Sequence, residues 1–120
     1  MNNLNIADHS IIYLAGPITG IPDCRERFAA AERILRAAAG DRHLIIYNPA
    51  KLPAGHTNAW YMQRCTRMLC RADALCTLPG WQISNGAGIE IALARYCSKP
   101  VLHLSSLMHT TQSQSFMEVA

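Results

Sequence analysis

The 120-residue sequence has no CxxC pair, no block of lysine or arginine, no internal repeat, and no signal peptide or long apolar span. Each absence excludes a class. Five cysteines, at 24, 65, 70, 76 and 97, are odd in number and unpaired in spacing, so free thiols in a reducing cytoplasm are expected rather than a disulfide framework. The five histidines, at 9, 43, 56, 103 and 109, are scattered singly, whereas a zinc site wants Cys/His pairs at short spacing; no metal is expected. Eleven basic and eight acidic residues, formal charge +3, are spread along the chain, which argues against nucleic acid as a partner, and no membrane segment is found. Neither GxGxxG nor GxxxxGK[ST] occurs, so a dinucleotide fingerprint and a P-loop are both absent and no cofactor is expected.

What is present suits one compact domain: half the residues are apolar, enough for a core of its own. After a polar leader at 1–10, IIYLAG reads as a buried strand that stops at Gly16-Pro17. The segment after Asp23 places Phe28, Ala31, Ile34, Leu35 and Ala38 at helical spacing, with Gly40 as its C-cap. HLIIYNP is a second strand. A helix over 59–72 follows, capped by Thr57 or Asn58, with apolar residues at 61, 65, 68 and 72. DALCTLPG is a third strand, SNGAGIEIALARYCSKP a third helix capped by Ser84 or Asn85 and stopped by Pro100, and VLHL a fourth strand. This alternation predicts a three-layer α/β fold, Rossmann-like or flavodoxin-like, with a parallel sheet of four to five strands and flanking helices. The tail at 105–120 has no assigned structure.

In such a sheet the loops leaving the carboxyl ends of the strands converge on one edge, where ligands bind. Gly16-Pro17-Ile18-Thr19-Gly20, Asn48-Pro49 and the stretch from Pro79-Gly80-Trp81 to Gly88 are those loops. Their glycines allow close backbone approach, and helix starts such as that at Gly86 and Gly88 favour anions. The plainer reading is that they make tight turns. Glu90, in the first or second turn of the third helix, would be held ionised by the positive end of the helix dipole, as a nucleophile or a cap; its spacing from Ser84 or Asn85 is too long for a simple capping box. Trp81 could stack on a base or serve as a lid over the sheet edge. Cys65 would need a base, with His56 as the candidate, to act as a nucleophile. The arginines at 25, 27, 33 and 36 read as a solvated face, although Arg25 or Arg27 could reach a phosphate.

Together, Y-L-A-G-P-I-T-G at 13–20, A-D-A-L at 72–75, L-P-G-W at 78–81 and S-N-G-A-G-I-E-I-A-L-A at 84–94 resemble the nucleoside 2-deoxyribosyltransferase-like superfamily. Within it, the small phage and prophage proteins of the DUF4406 group look most similar, and the resemblance spans residues 11–104. It implies cleavage or transfer at the N-glycosidic bond of a 2-deoxynucleoside or its 5′-monophosphate, and a homodimer or higher homo-oligomer. Gly86-Ala87-Gly88-Ile89-Glu90 matches the G-x-G-x-E pattern whose glutamate attacks the anomeric carbon. By the same matching, Tyr13 and Gly16, with Pro17 beside them, fall on the sugar-pocket motif, and Ser84 on a serine that contacts a 5′-phosphate. Asp73 matches an acid that opens the third strand, where a junction cap is the simpler role. One position departs: the aspartate that assists base protonation should lie eight residues before Asp73, and there the sequence has Cys65. A thiol with a pKa near about 8.5 is a poor substitute for a carboxylic acid. The expectation divides three ways: a slow hydrolase, a catalytically silent nucleotide-binding domain, or an enzyme whose acid comes from Asp23 or a partner copy.

Overall fold

The computed structural model describes residues 4–108. Four strands, β1 (Ser10–Ala15), β2 (Leu44–Tyr47), β3 (Ala74–Thr77) and β4 (Val101–His103), alternate with α1 (Cys24–Ala39), α2 (Asn58–Arg71) and α3 (Asn85–Tyr96). The sheet is parallel throughout, in the order β2-β1-β3-β4. It is the predicted three-layer, Rossmann-like α/β fold.

Side-chain alternation along β1 separates the interior into two cores. Ile12 and Leu14 point into one with Phe28, Ala31, Leu35 and Ala38 of α1; Tyr13 and Ala15 point into the other with Cys65 and Leu69 of α2 and Ala87, Ile91 and Ala94 of α3. Every one of these residues is buried. β1 and β3 are neighbours, yet β1 leads into α1 on one face and β3 into α3 on the other. Their carboxyl ends therefore form the topological switch point, where a crevice opens in folds of this kind.

Several boundaries differ from expectation. The third helix ends at Tyr96, short of Pro100, because Ser98 takes a left-handed φ of 58° and the Lys99 N–H turns back to the Ala94 carbonyl at 2.8 Å. That closure spends the last orphan carbonyls before proline can act. The loop after β2 contains a 3-10 turn, Pro49–Lys51, held by the Asn48 side chain accepting from the Ala50 N–H. Leu4, in the expected polar leader, is buried in the α1 core. Residues 104–108 are helical and Leu104 is buried, while 109–120, most of the unassigned tail, lie outside the described residues.

Two sequence candidates prove to be fold-builders. A Cβ at Gly16 would lie 2.9 Å from the Cβ of Leu78, so the close packing of the two loop roots by itself requires glycine there. Asp73, exposed, accepts from the Ile11 N–H at 2.7 Å through its carboxylate, while its own N–H donates to the Ile11 carbonyl at 2.7 Å. It clasps the starts of β1 and β3, at the edge away from the candidate ligand loops.

Candidate active site

Ser84 caps α3: its Oγ accepts from the Ala87 N–H at 3.1 Å. With the cap supplied by Ser84, Glu90 is free of that role. One and a half turns on, its side chain turns inward and is only 7 % exposed. There the Tyr13 hydroxyl donates to Glu90 Oε2 at 2.6 Å. Tyr13 is fully buried, held in mid-strand with its ring among α2 and α3 residues. The thiol of Cys65, on the inward face of α2, is buried in the same core as Tyr13 and is the third polar group that influences Tyr13 and Glu90 electrostatically. Three residues separated by tens of positions in sequence thus meet in one buried polar cluster.

Burial sets the electrostatics. It pushes the Glu90 carboxyl up to about 7, against the opposing pull of the hydrogen bonds from Tyr13 and Cys65. The full ionisation expected from the helix dipole is therefore only partial at neutral pH, because desolvation outweighs a dipole felt mainly in the first turn. Burial also raises the Cys65 thiol, and it raises the Tyr13 hydroxyl well above the ordinary phenol range, with the neighbouring Glu90 charge adding to both. Glu90 accordingly loses its proton first. Its carboxylate is then held by the neutral O–H of Tyr13, with the Cys65 thiol as its second polar neighbour.

The switch-point loops complete the frame. Pro17 is buried and lies against Gly80, whose φ of 87° makes the turn out of β3. Trp81 is half-buried, packs on the α2/α3 core and stacks on His103, ring centroids 5.8 Å apart. His103 Nδ1 is 2.7 Å from Thr77 Oγ1. Thr77 and His103 were not singled out by sequence reasoning. The signal was available: each is a polar residue at the carboxyl end of an otherwise apolar strand, and parallel register sets Ala15, Thr77 and His103 side by side.

Gly86 and Gly88 behave unlike Gly16. An added Cβ at either would meet nothing within 4 Å, so packing does not demand glycine in this first turn of α3. In a helix each costs about 1 kcal/mol relative to alanine. Gly88→Ala is expected to stabilise the protein by ~0.5–1 kcal/mol in urea unfolding; a loss of stability would show that the backbone here depends on glycine. The N–H groups at the first two helical positions, Asn85 and Gly86, have no intrahelical acceptor and are the natural anion donors.

Other candidates are engaged in different contacts. His56 stacks on Trp60, centroids 3.7 Å apart, which leaves the proposed Cys65–His56 pairing unformed. Asp23 is exposed and forms an ion pair with Arg27 at 3.0 Å, and Arg36 donates to the Leu44 carbonyl. No helix among the described residues is long and apolar enough to cross a membrane.

No curated protein matches the sequence. Among solved structures, one described as a conserved protein from Enterococcus faecalis V583 superposes with a TM-score of 0.59 at 23% identity, over 79% of this chain and 62% of that one. The chain thus spans less than two thirds of that protein, and the likeness is one of fold. A family model, described as a domain of unknown function (DUF4406), matches residues 10–103, from the first residue of β1 to the last of β4, and the chain belongs to that family.

Proposed function

We propose that the chain cleaves or transfers at the N-glycosidic bond of a 2-deoxynucleoside or its 5′-monophosphate, with Glu90 as nucleophile. The observation that carries this reading is the Glu90 carboxyl itself, buried, capping nothing, and held by the Tyr13 hydroxyl at 2.6 Å. With a pKa pushed up to about 7, a substantial fraction is ionised at neutral pH. The carboxylate attacks the anomeric carbon, the C–N bond breaks with its electron pair passing to the base, and the base takes a proton from water. Water or a second base then releases the sugar from the glycosyl ester. The covalent route divides one hard step into two, and a desolvated carboxylate stabilises an oxocarbenium-like transition state strongly. The open first turn of α3, with Ser84, Gly86 and Gly88, receives the 5′-phosphate, and Trp81 the base. Ile83, Ile89 and Tyr96, all exposed, offer a surface for the homo-oligomer.

A second reading rests on Cys65. Its buried thiol occupies the place where the related enzymes carry an acid, and its raised pKa makes it a weak proton donor. A nucleotide would then be bound without turnover, as in a phage or prophage protein that sequesters nucleotides or a nucleotide-derived signal.

The two are separated by incubating the protein with a panel of deoxynucleosides and their monophosphates and resolving free base by chromatography. Base release that Glu90→Gln abolishes is the expected result. Tight binding without release, unaffected by that substitution, establishes the second reading instead. Neither binding nor release with any panel member removes both.

A further inference from the structure

At the amino edge of the sheet, away from Glu90, the fold joins residues that are far apart in sequence. The turn at Asp8-His9 precedes β1, and His43 precedes β2. The His9 N–H donates to the His43 carbonyl at 2.8 Å, and the His43 N–H donates to Asp8 Oδ1 at 2.6 Å. These bonds fix the three backbones together. His9 adopts a left-handed φ of 66°, and the two imidazoles lie parallel, centroids 5.1 Å apart and planes within 4°. His9 Nε2 is 3.5 Å from Asp8 Oδ2, and His43 Nδ1 is 3.7 Å from Asp8 Oδ1. One ligand atom from each of the three residues falls within a span of 4.8 Å.

We propose that Asp8, His9 and His43 form a binding site for a divalent transition metal such as Zn2+, in which two imidazole nitrogens and one carboxylate oxygen are the protein donors. Zinc bound tetrahedrally at about 2.0–2.2 Å needs donor separations of about 3.3–3.5 Å. The two nitrogen–oxygen separations, 3.5 and 3.7 Å, stand near that value, one to each oxygen of the Asp8 carboxylate, so the ion is either shared between the two oxygens or draws both imidazoles to one of them. All three side chains are exposed and free to turn, and the two parallel imidazoles must tilt toward each other to close on the ion. Two neutral imidazoles with one carboxylate suit the borderline metals, Zn2+, Ni2+ and Cu2+, over Mg2+ or Ca2+, which prefer all-oxygen shells. Water completes the shell. Because the donors come from the entrances of β1 and β2, the ion acts as a clip between them and stabilises the native state by mass action. The nearby Arg42 guanidinium does not compete for the carboxylate, being tied to the carbonyls of Ala39 and Ile6.

The test is calorimetric titration of untagged, reduced protein with Zn2+, paired with melting curves in Zn2+ and then excess EDTA. Saturable binding with a rise in melting temperature that EDTA reverses is expected. Asp8→Asn keeps an acceptor for the His43 N–H but removes the anionic donor; His43→Gln removes an imidazole. Each should weaken Zn2+ by about tenfold or more, the scale on which even outer-shell partners act, with circular dichroism unchanged. Exposed Cys70 and Cys97 are the competing ligands. Co2+ distinguishes them: a thiolate-to-cobalt charge-transfer band places the ion on sulfur and overturns the assignment, as does equal affinity in wild type and both variants, or no saturable binding in the wild type.

Discussion

Glu90→Gln is expected to raise the melting temperature at pH 8 by up to about 10 °C while changing it little near pH 5. The sign follows from the direction of the shift. The Glu90 carboxyl titrates at an ordinary 4.5 when unfolded and is raised to about 7 by burial in the native state. Between these values the folded chain binds more proton than the unfolded one, so stability declines as pH rises. Above about 7 the loss is complete, and a shift of this size corresponds to about 3 kcal/mol. Glutamine does not titrate and still accepts the Tyr13 O–H, although its amide group needs a partner of its own. Other titrating groups are common to both proteins; Cys65 and Tyr13, which feel the Glu90 charge, are themselves raised and change little across this pH range. The check is a pair of denaturation series from pH 5 to pH 8. A difference that stays flat with pH would mean that Glu90 is solvated with an ordinary pKa, and a wild type that gains on the variant as pH rises would mean that the fold favours its carboxylate; either result overturns the raised, desolvated carboxyl.

Cys65→Asp tests the proposed reaction from the other side, because it puts a carboxyl where the superfamily that the sequence motifs resemble is expected to carry an acid. Cys65 is buried and in contact with both Tyr13 and Glu90, so two carboxyls would share one desolvated space. They cannot both ionise cheaply, and one keeps its proton. The result is a neutral acid beside a carboxylate, the pairing that protonates a leaving base while the other group attacks. Base release in single-turnover assays is expected to rise by about 10²-fold or more, at a stability cost of roughly 2–4 kcal/mol at pH 8 and less at pH 5. Cys65→Ser is the control, since it keeps a small hydrogen-bond donor without a carboxylic acid and should leave the rate near wild type. An unchanged rate in a folded Cys65→Asp protein would show that proton supply does not limit the chemistry.

The element order was legible because short apolar runs end at Gly-Pro, Asn-Pro and Pro-Gly, and because the helix caps at Thr57 and Ser84 announce themselves. Both caps accept the expected backbone N–H, from Trp60 and Ala87. Glu90 was legible as a single acid beside glycines, but not its protonation: a dipole can be read from position, whereas desolvation depends on what α2 and β1 lay over the carboxyl. That packing alone demands glycine at 16 was not legible, because sequence does not reveal that Leu78 crowds it, and Gly86 and Gly88 read alike although no side chain crowds them. The histidines looked scattered because His9 and His43 are brought together only by the pairing of β1 with β2. Thr77 and His103 were missed for a related reason, since partners across a sheet carry no sequence spacing.

The two cores that meet at β1 make the protein modular for an engineer. Substitutions that refill or loosen the packing around Phe28, Leu35 and Ala38 act on one side of the sheet, and the Tyr13–Glu90–Cys65 cluster is on the other. Changes at separated sites without shared partners add in free energy. Thermostability can therefore be built up in the α1 layer as a reserve, and spent on polar, costly substitutions around Glu90 without redesigning the scaffold.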